Sequence, residues 1–491
     1  MKPKSVSLIF NTVNFKLILF LLGLIIQPIA WSDTLLREQT KQAMSKASDF
    51  FTQQVSGHGG YLWKYSPDLE LREGEKKADP DMIWVQPPGT PSVGEAFIKA
   101  FRASGNKKYL KAALEAAYAL EWGQLQSGGW WYSIDFNSNK FRYRHVDNKV
   151  RKGRNISILD DNVSQSALMF LMHLDEVLEF KNQRVNKVVE YGLDNLLKAQ
   201  YPNGAWPQRF DKFPNPDKYP VIKANYPQNW PREFPGKNYY SYYTFNDNSI
   251  SDTIVLFFEA YRIYGKNAYL EAAERGGDFI LLAQMPEPQP VWAQQYNHKM
   301  QPAWARKFEP AALSGRESQD VMKSLLMLYR ETGKQKYLDA LPRAFRWFER
   351  SILPEGKMAR FYELRTNRPL YFTKDYQLVY HANDLPTHYY FKVKSRIPGI
   401  KREYEYLKNN DYESVKKRLD KKKNTVTINE KKERIVRRII SELDKSGRWL
   451  EDGKLRYQRF YNFNVANQVI SSKTFVQNMN ILSDYLLATQ K

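Results

Sequence analysis

Three stretches of the chain repeat one pattern: SGNKKYLKAALEAA (104–117), YGKNAYLEAAERGG (264–277) and TGKQKYLDALPRA (332–344). In each, a glycine (Gly105, Gly265, Gly333) stands where a left-handed residue ends a helix, and a Tyr-Leu pair then opens the apolar stripe of the next. Apolar helical patterns precede them at VGEAFIKAFRA (93–103), ISDTIVLFFEAYRI (250–263) and SQDVMKSLLMLYRE (318–331), and NVSQSALMFLMHLDEVLEF (162–180) adds a further one without the glycine. The first helices are apolar nearly all round, whereas the second carry more Lys and Glu. That asymmetry predicts an inner and an outer layer of helices. Hairpins of this kind stack into an open solenoid or close into a ring. Few, irregularly spaced units favour an all-α fold of helical hairpins, an α/α toroid (incomplete α/α barrel).

Residues 1–32 read as a signal peptide. Lys2, Lys4 and Lys16 precede an apolar run, Leu17 to Ile26, and Ala30-Trp31-Ser32 supplies a small-x-small cleavage pattern. The mature chain is then expected to be secreted or periplasmic, without integral membrane association. The absence of cysteine excludes disulfides, thiolate metal sites and a cysteine nucleophile. Two segments follow: a toroid domain over 33–395 with a Pro-rich insertion at 211–240, and a basic helical extension over 396–491. The amphipathic stretch 471–490, with Phe475, Met479, Leu482 and Leu486 on one face, is suited to close the ring. Residues 391–491 hold 24 Lys/Arg against 12 Asp/Glu, +12 of the formal +22, notably in KKRLDKKKNTVTINEKKERIVRR (416–438), read as a solvated helical face or arm. The body is only mildly basic, so nucleic acid is not an expected partner, and the expected unit is a monomer.

The loops carry a second echo. Gly-Gly-Tyr-Leu-Trp begins at Gly59, Gly-Gly-Trp-Trp at Gly128 and Asn-Gly-Ala-Trp-Pro-Gln at Asn203. A glycine turn followed by an indole presents a flat face for a sugar ring, with Trp206 as a candidate, or else buries the indole in the core. Asp160-Asp161-Asn162 and Asn246-Asp247-Asn248 each stand just before an inner helix. Asp and Asn are preferred N-caps, so capping alone is one reading. If the inner helices run the same way, these starts meet, and their carboxylate and amide oxygens suit a hard cation such as Ca2+. Arg306, between Trp304 and Phe308 in PAWARKFEPAALSGRES (302–318), is delivered to the same end, ahead of a capping box at Ser314-x-x-Glu317.

Taken in order, YPNGAWPQ (201–208), TFND (244–247), VWAQQYN (291–297), ARKFEPAALSGRES (305–318) and YELRTNRPLY (362–371) resemble family ten of the polysaccharide lyases, pectate lyases on an α/α toroid. The resemblance spans about residues 56–390. It implies a secreted pectate lyase that cleaves polygalacturonate by calcium-assisted β-elimination. Arg306 is the implied base, Asp161 and Asp247 are the acidic metal positions, and Asn246 and Trp206 lie on substrate. Arg368 and Lys374 are the next cations expected on substrate carboxylates. Lys374 stands where the family has an arginine, an exchange that loses bidentate carboxylate binding.

The chemistry is consistent with that inventory. Elimination across C4 and C5 of a uronide needs the C6 carboxylate neutralised as enolate charge develops, and a base at C5. Two other classes remain open on residues alone. A glycoside hydrolase would pair Glu309 or Glu317 with Asp161 or Asp247, and a non-catalytic protein would bind acidic glycans.

Overall fold

The computed structural model describes residues 34–137, 155–236, 238–423, 428–457 and 467–490; the expected signal peptide lies outside them. Four helical hairpins form the body: α2 (Thr90–Ser104) with α3 (Lys107–Gly123), α4 (Val163–Val177) with α5 (Gln183–Lys198), α6 (Ser249–Tyr264) with α7 (Asn267–Leu282), and α8 (Glu317–Thr332) with α9 (Lys336–Asp339) and α10 (Leu341–Ser351). Helix α1 (34–50) precedes them. After them come α11 (Ile397–Lys408), α12 (Tyr412–Lys423), α13 (Glu430–Ser441) and α14 (Ser472–Ala488).

Gly105, Gly265 and Gly333 end α2, α6 and α8 in the left-handed conformation, each donating its N–H to a carbonyl four residues back at 2.8 Å. The α4–α5 turn, which lacks that glycine, instead places Glu179 and Phe180 at positive φ. The first helices of the hairpins pack side by side in the order α2, α4, α6, α8, and the C-terminal α14 packs on α2. The fold is therefore an α/α toroid. Phe475, Met479, Leu482 and Leu486 of α14 are all buried. Within the basic run, Val436 of α13 is buried in the same core and the Trp449 indole donates to the Ile439 carbonyl, while Lys416, Lys417, Arg418, Arg437 and Arg438 are exposed on the outer face of these helices. Among the described residues no helix is long and apolar enough to cross a membrane.

One clasp recurs at the ends of the outer helices. Gln124, Gln200 and Gln284 each divide their amide between a carbonyl of their own loop (Gly128, Gly204, Pro290) and one on the next outer helix or its boundary (Val188, Ala272, Ala340), at 2.9–3.0 Å. The tryptophan of the following turn then donates its indole N–H back to the outer helix: Trp130 to Leu120, Trp206 to Leu196 and Trp292 to Ile280. These bonds satisfy carbonyls that helix ends leave orphaned. Gly204 is required in this turn, because a Cβ there would lie 1.9 Å from the Arg275 carbonyl oxygen. The echo of glycine and indole is thus mainly a structural repeat. Trp206 is fully buried, stacked on Phe257 at 5.5 Å, and offers no face to a sugar, which corrects its assignment as a substrate residue. Trp206→Phe is expected to leave the Leu196 carbonyl unpaired and to lower unfolding free energy by about 1–3 kcal/mol in urea titrations.

Candidate active site

Both acidic clusters form a single 3-10 turn running into an inner helix, Asp160–Asn162 into α4 and Asn246–Asn248 into α6, and the two turns touch. Each turn holds two consecutive residues in the left-handed region: Asp161 (φ 51°) and Asn162 (φ 58°), Asp247 (φ 46°) and Asn248 (φ 59°). Asp and Asn are the non-glycine residues that tolerate this conformation, at a cost of order 1–3 kcal/mol each. Neither cluster caps its helix, since Asn162 and Asn248 sit at the cap positions without a side-chain hydrogen bond. The motif is there to aim carboxylates, and the capping reading fails.

The aim is shared. Asp160, Asp161 and Asp247 bring one carboxylate oxygen each to within 4.8 Å of one another. Tyr132 donates to Asp160 Oδ2 at 2.9 Å, but Asp160 Oδ1 is buried without a partner, as is Asn246 Oδ1. Burial and the neighbouring Asp160 and Asp247 charges push the Asp161 carboxyl up to about 7. Asp247 is raised too, by burial first and by Asp160, with Arg360 and Arg306 opposing. Crowded carboxylates with orphaned buried oxygens have the donor chemistry of a hard cation, so these residues fit calcium.

Around them lies a cleft of about 680 Å³. Arg306 enters it with its side chain 45% exposed, whereas its partner Glu309 is 2% exposed. The pair is bidentate, Nε to Oε2 at 2.8 Å and an Nη2 bond to Oε1 at 2.5 Å, and Tyr389 donates to Glu309 Oε1 at 2.8 Å. Desolvation alone would lower the Arg306 pKa, but the hydrogen bond and charge of Glu309 outweigh it and hold the guanidinium proton more tightly. Two further arginines had not been singled out. Arg209 lines the cleft and stacks on Tyr240 at 3.9 Å, and Arg360 pairs with Glu317 at 2.7 Å and lowers Asp247. Each adjoins a segment of the family resemblance, YPNGAWPQ or YELRTNRPLY, which was the available signal.

Asn246 lines the cleft. Arg368 and Lys374 do not: Arg368 is exposed and stacks on Tyr380 at 3.6 Å, and Lys374 pairs with Asp384 at 2.9 Å on the surface. Trp131, half-buried, lines the cleft, whereas Trp206 does not. Ser314 Oγ accepts the Glu317 backbone N–H at 3.1 Å, one half of the expected capping box, while the Glu317 carboxylate bonds the Ser314 hydroxyl and Arg360.

The family model for pectic acid lyase matches residues 124–389, more than half of the chain. The chain belongs to the pectic acid lyase family. No curated protein sequence matches it. Among solved structures it is similar to family 10 polysaccharide lyase from Cellvibrio cellulosa (19% identity, 65% of this chain and 98% of that one, TM-score 0.45). A mutant of that enzyme in complex with trigalacturonic acid is similar at 19% identity, over 65% of this chain and 97% of that one, with TM-score 0.44. A D-mannose isomerase is similar at 13% identity over 91% of this chain and 97% of that one, with TM-score 0.45.

In this pectate lyase the matched residues include the acidic clusters and the two cleft arginines, Arg209 and Arg306, whereas Glu75, Lys76, Lys77, Met82 and Trp84 line the cleft from before the match. The raised Asp161 carboxyl sets a sign for stability. A folded-state pKa of about 7 against an unfolded value near 4 means that the native state binds the extra proton between those pH values, so its stability falls as pH rises through them. In chelator, wild type is expected to lose melting temperature from pH 5 to pH 8 relative to Asp161→Asn. Added calcium should stabilise wild type more at pH 8 than at pH 5. Equal pH slopes for the two proteins in calorimetry would contradict the assignment.

Proposed function

We propose that the enzyme cleaves unesterified polygalacturonate by β-elimination, with Arg306 as the base at C5. The carrying observation is the convergence of an acidic cluster and two arginines, Arg209 and Arg306, on one cleft, a donor set matched to a substrate with a carboxylate on every sugar. Bound there, calcium would neutralise the C6 carboxylate and render the C5 hydrogen more acidic, and Asp161 and Asp247, with Asp160, are the residues that would hold it. Asn246 lies beside that group. Arg209 supplies further positive charge where enolate charge develops, and Arg360, paired with Glu317, adds its field at Asp247.

Arg306 takes the C5 proton, the C4–O4 bond breaks, and its electron pair leaves with the oxygen as the C4=C5 double bond forms. Arginine is ordinarily fixed in its protonated form, and Glu309 reinforces that state. The base form therefore requires the positive field of a loaded cleft and alkaline conditions. The hydrolase alternative loses support because its acid candidates are engaged, Glu309 by Arg306 and Tyr389, Glu317 by Arg360 and Ser314. Arg368 and Lys374, outside the cleft, are left to contacts with more distant sugars. The N-terminal 32 residues support export, with the enzyme acting as a monomer in the periplasm or outside the cell.

The decisive assay is formation of an unsaturated, ultraviolet-absorbing chain end from polygalacturonate. Excess chelator is expected to abolish most of it, and full activity in chelator would remove the metal role. Arg306→Ala should lose all measurable elimination and Arg306→Lys most of it, with both still folded. Retained activity in Arg306→Ala would make this residue a clamp and not the base. Glu309→Gln should lower the maximal rate by loosening Arg306. It should also move the alkaline rise of the pH–rate profile to lower pH, because the anion that holds the proton is gone.

A further inference from the structure

The family match leaves one wall of the cleft unexplained. Residues 72–84 precede the matched region, yet Lys76 and Lys77 line the cleft beside Glu75. Lys76 and Lys77 are both exposed. Two packing constraints hold the loop that carries them. Gly74 lies against the Trp84 indole so closely that a Cβ would sit 2.1 Å from it, and the Gly74 N–H donates to the Lys76 carbonyl at 2.9 Å. The Ala78 N–H returns to the Arg72 carbonyl at 3.1 Å, closing the loop.

The second anchor comes from the far end of the chain. Strand Lys64–Tyr65 pairs on one side with Arg72–Glu73 and on the other with Gln468–Ser471, which pairs in turn with Leu450–Asp452. Glu73 is 4% exposed, and its carboxylate accepts the backbone N–H groups of Arg456 at 3.0 Å and Tyr457 at 3.2 Å. The Tyr457 hydroxyl donates to the Glu75 carbonyl at 2.7 Å. Backbone and buried carboxylate are thus locked together, while Lys76 and Lys77 line the cleft.

We propose that Lys76 and Lys77 form a subsite for substrate carboxylates beyond the sugar pair that reacts, and that the C-terminal segment around Arg456 and Tyr457 positions it. The inference rests on the acidic substrate of the preceding section. A polymer with one carboxylate per sugar, entering a cleft whose floor is already acidic at Asp160, Asp161 and Asp247, needs cations on the walls to offset that repulsion. Lysine suits such a place, because its compact charge on a flexible stem accepts a carboxylate from several directions.

The test is calorimetric binding of hexagalacturonate and of its fully methyl-esterified, uncharged counterpart to wild type, Lys76→Met, Lys77→Met and Tyr457→Phe. Each lysine variant is expected to weaken binding of the acidic oligomer about two- to five-fold at low salt, the range of exposed ion pairs. The difference should shrink as salt rises, and the esterified oligomer should not discriminate the variants. Tyr457→Phe should weaken hexagalacturonate binding in the same direction with both lysines present. Unchanged affinity in both lysine variants overturns the subsite, and unchanged affinity in Tyr457→Phe overturns its positioning by the C-terminal segment. Product absorbance, followed on the same samples, separates this from the reaction assignment: wild type that binds hexagalacturonate in a lysine-dependent way without producing unsaturated ends retains the subsite and refutes the elimination.

Discussion

Like charges do not gather unless something holds them, and the organising constraint of this protein is that three carboxylates are kept within 4.8 Å of one another. The cost is visible in the raised Asp161 and Asp247 carboxyls and in the left-handed residues at both turns. A turn free to relax would move the charges apart. Here each is continuous with a helix whose other faces are buried in the toroid core, so the helices hold the turns in place. Their N-termini also point at the cluster and offset part of the repulsion.

What aligns those helices is a set of hydrogen bonds remote from the cleft. The Gln124, Gln200 and Gln284 amides join successive outer helices, and the Trp130, Trp206 and Trp292 indoles fasten each turn to the end of its own helix. Repetition of the same clasp brings each next inner helix back at the same end. Convergence of Asp160, Asp161, Asp247 and Arg306 on one cleft is the geometric result.

Charge within the cleft is balanced by neighbours of opposite sign and not by water alone. Glu309 is buried against Arg306, and Glu317 against Arg360, so each of these two arginines is backed by a buried anion. The backing fixes orientation, and it also makes the Arg306 proton harder to remove. Orientation and basicity therefore pull against each other at this residue.

Much of this was legible in the chain. Glycine-ended helices, the two layers, the paired acidic turns and Arg306 all depend on local patterns, which a periodicity or a turn preference reveals without knowledge of neighbours. Trp206 shows the limit: a glycine followed by an indole has the same appearance whether the ring faces a sugar or a helix end, and only packing against Phe257 and the Leu196 carbonyl decides. Local pattern does not tell Arg209, which lines the cleft, from Arg368 and Lys374, which do not, because the side of a short strand or loop on which a cation emerges is set by what pairs with it. The loop that carries Lys76 and Lys77 is tied through Glu73 and Glu75 to Arg456 and Tyr457, nearly four hundred residues away. The sequence by itself determined the helical hairpins and the chemical types at their ends, since these follow from local backbone and side-chain preference. The tertiary structure alone decided which of those groups share a cleft, because that depends on long-range packing.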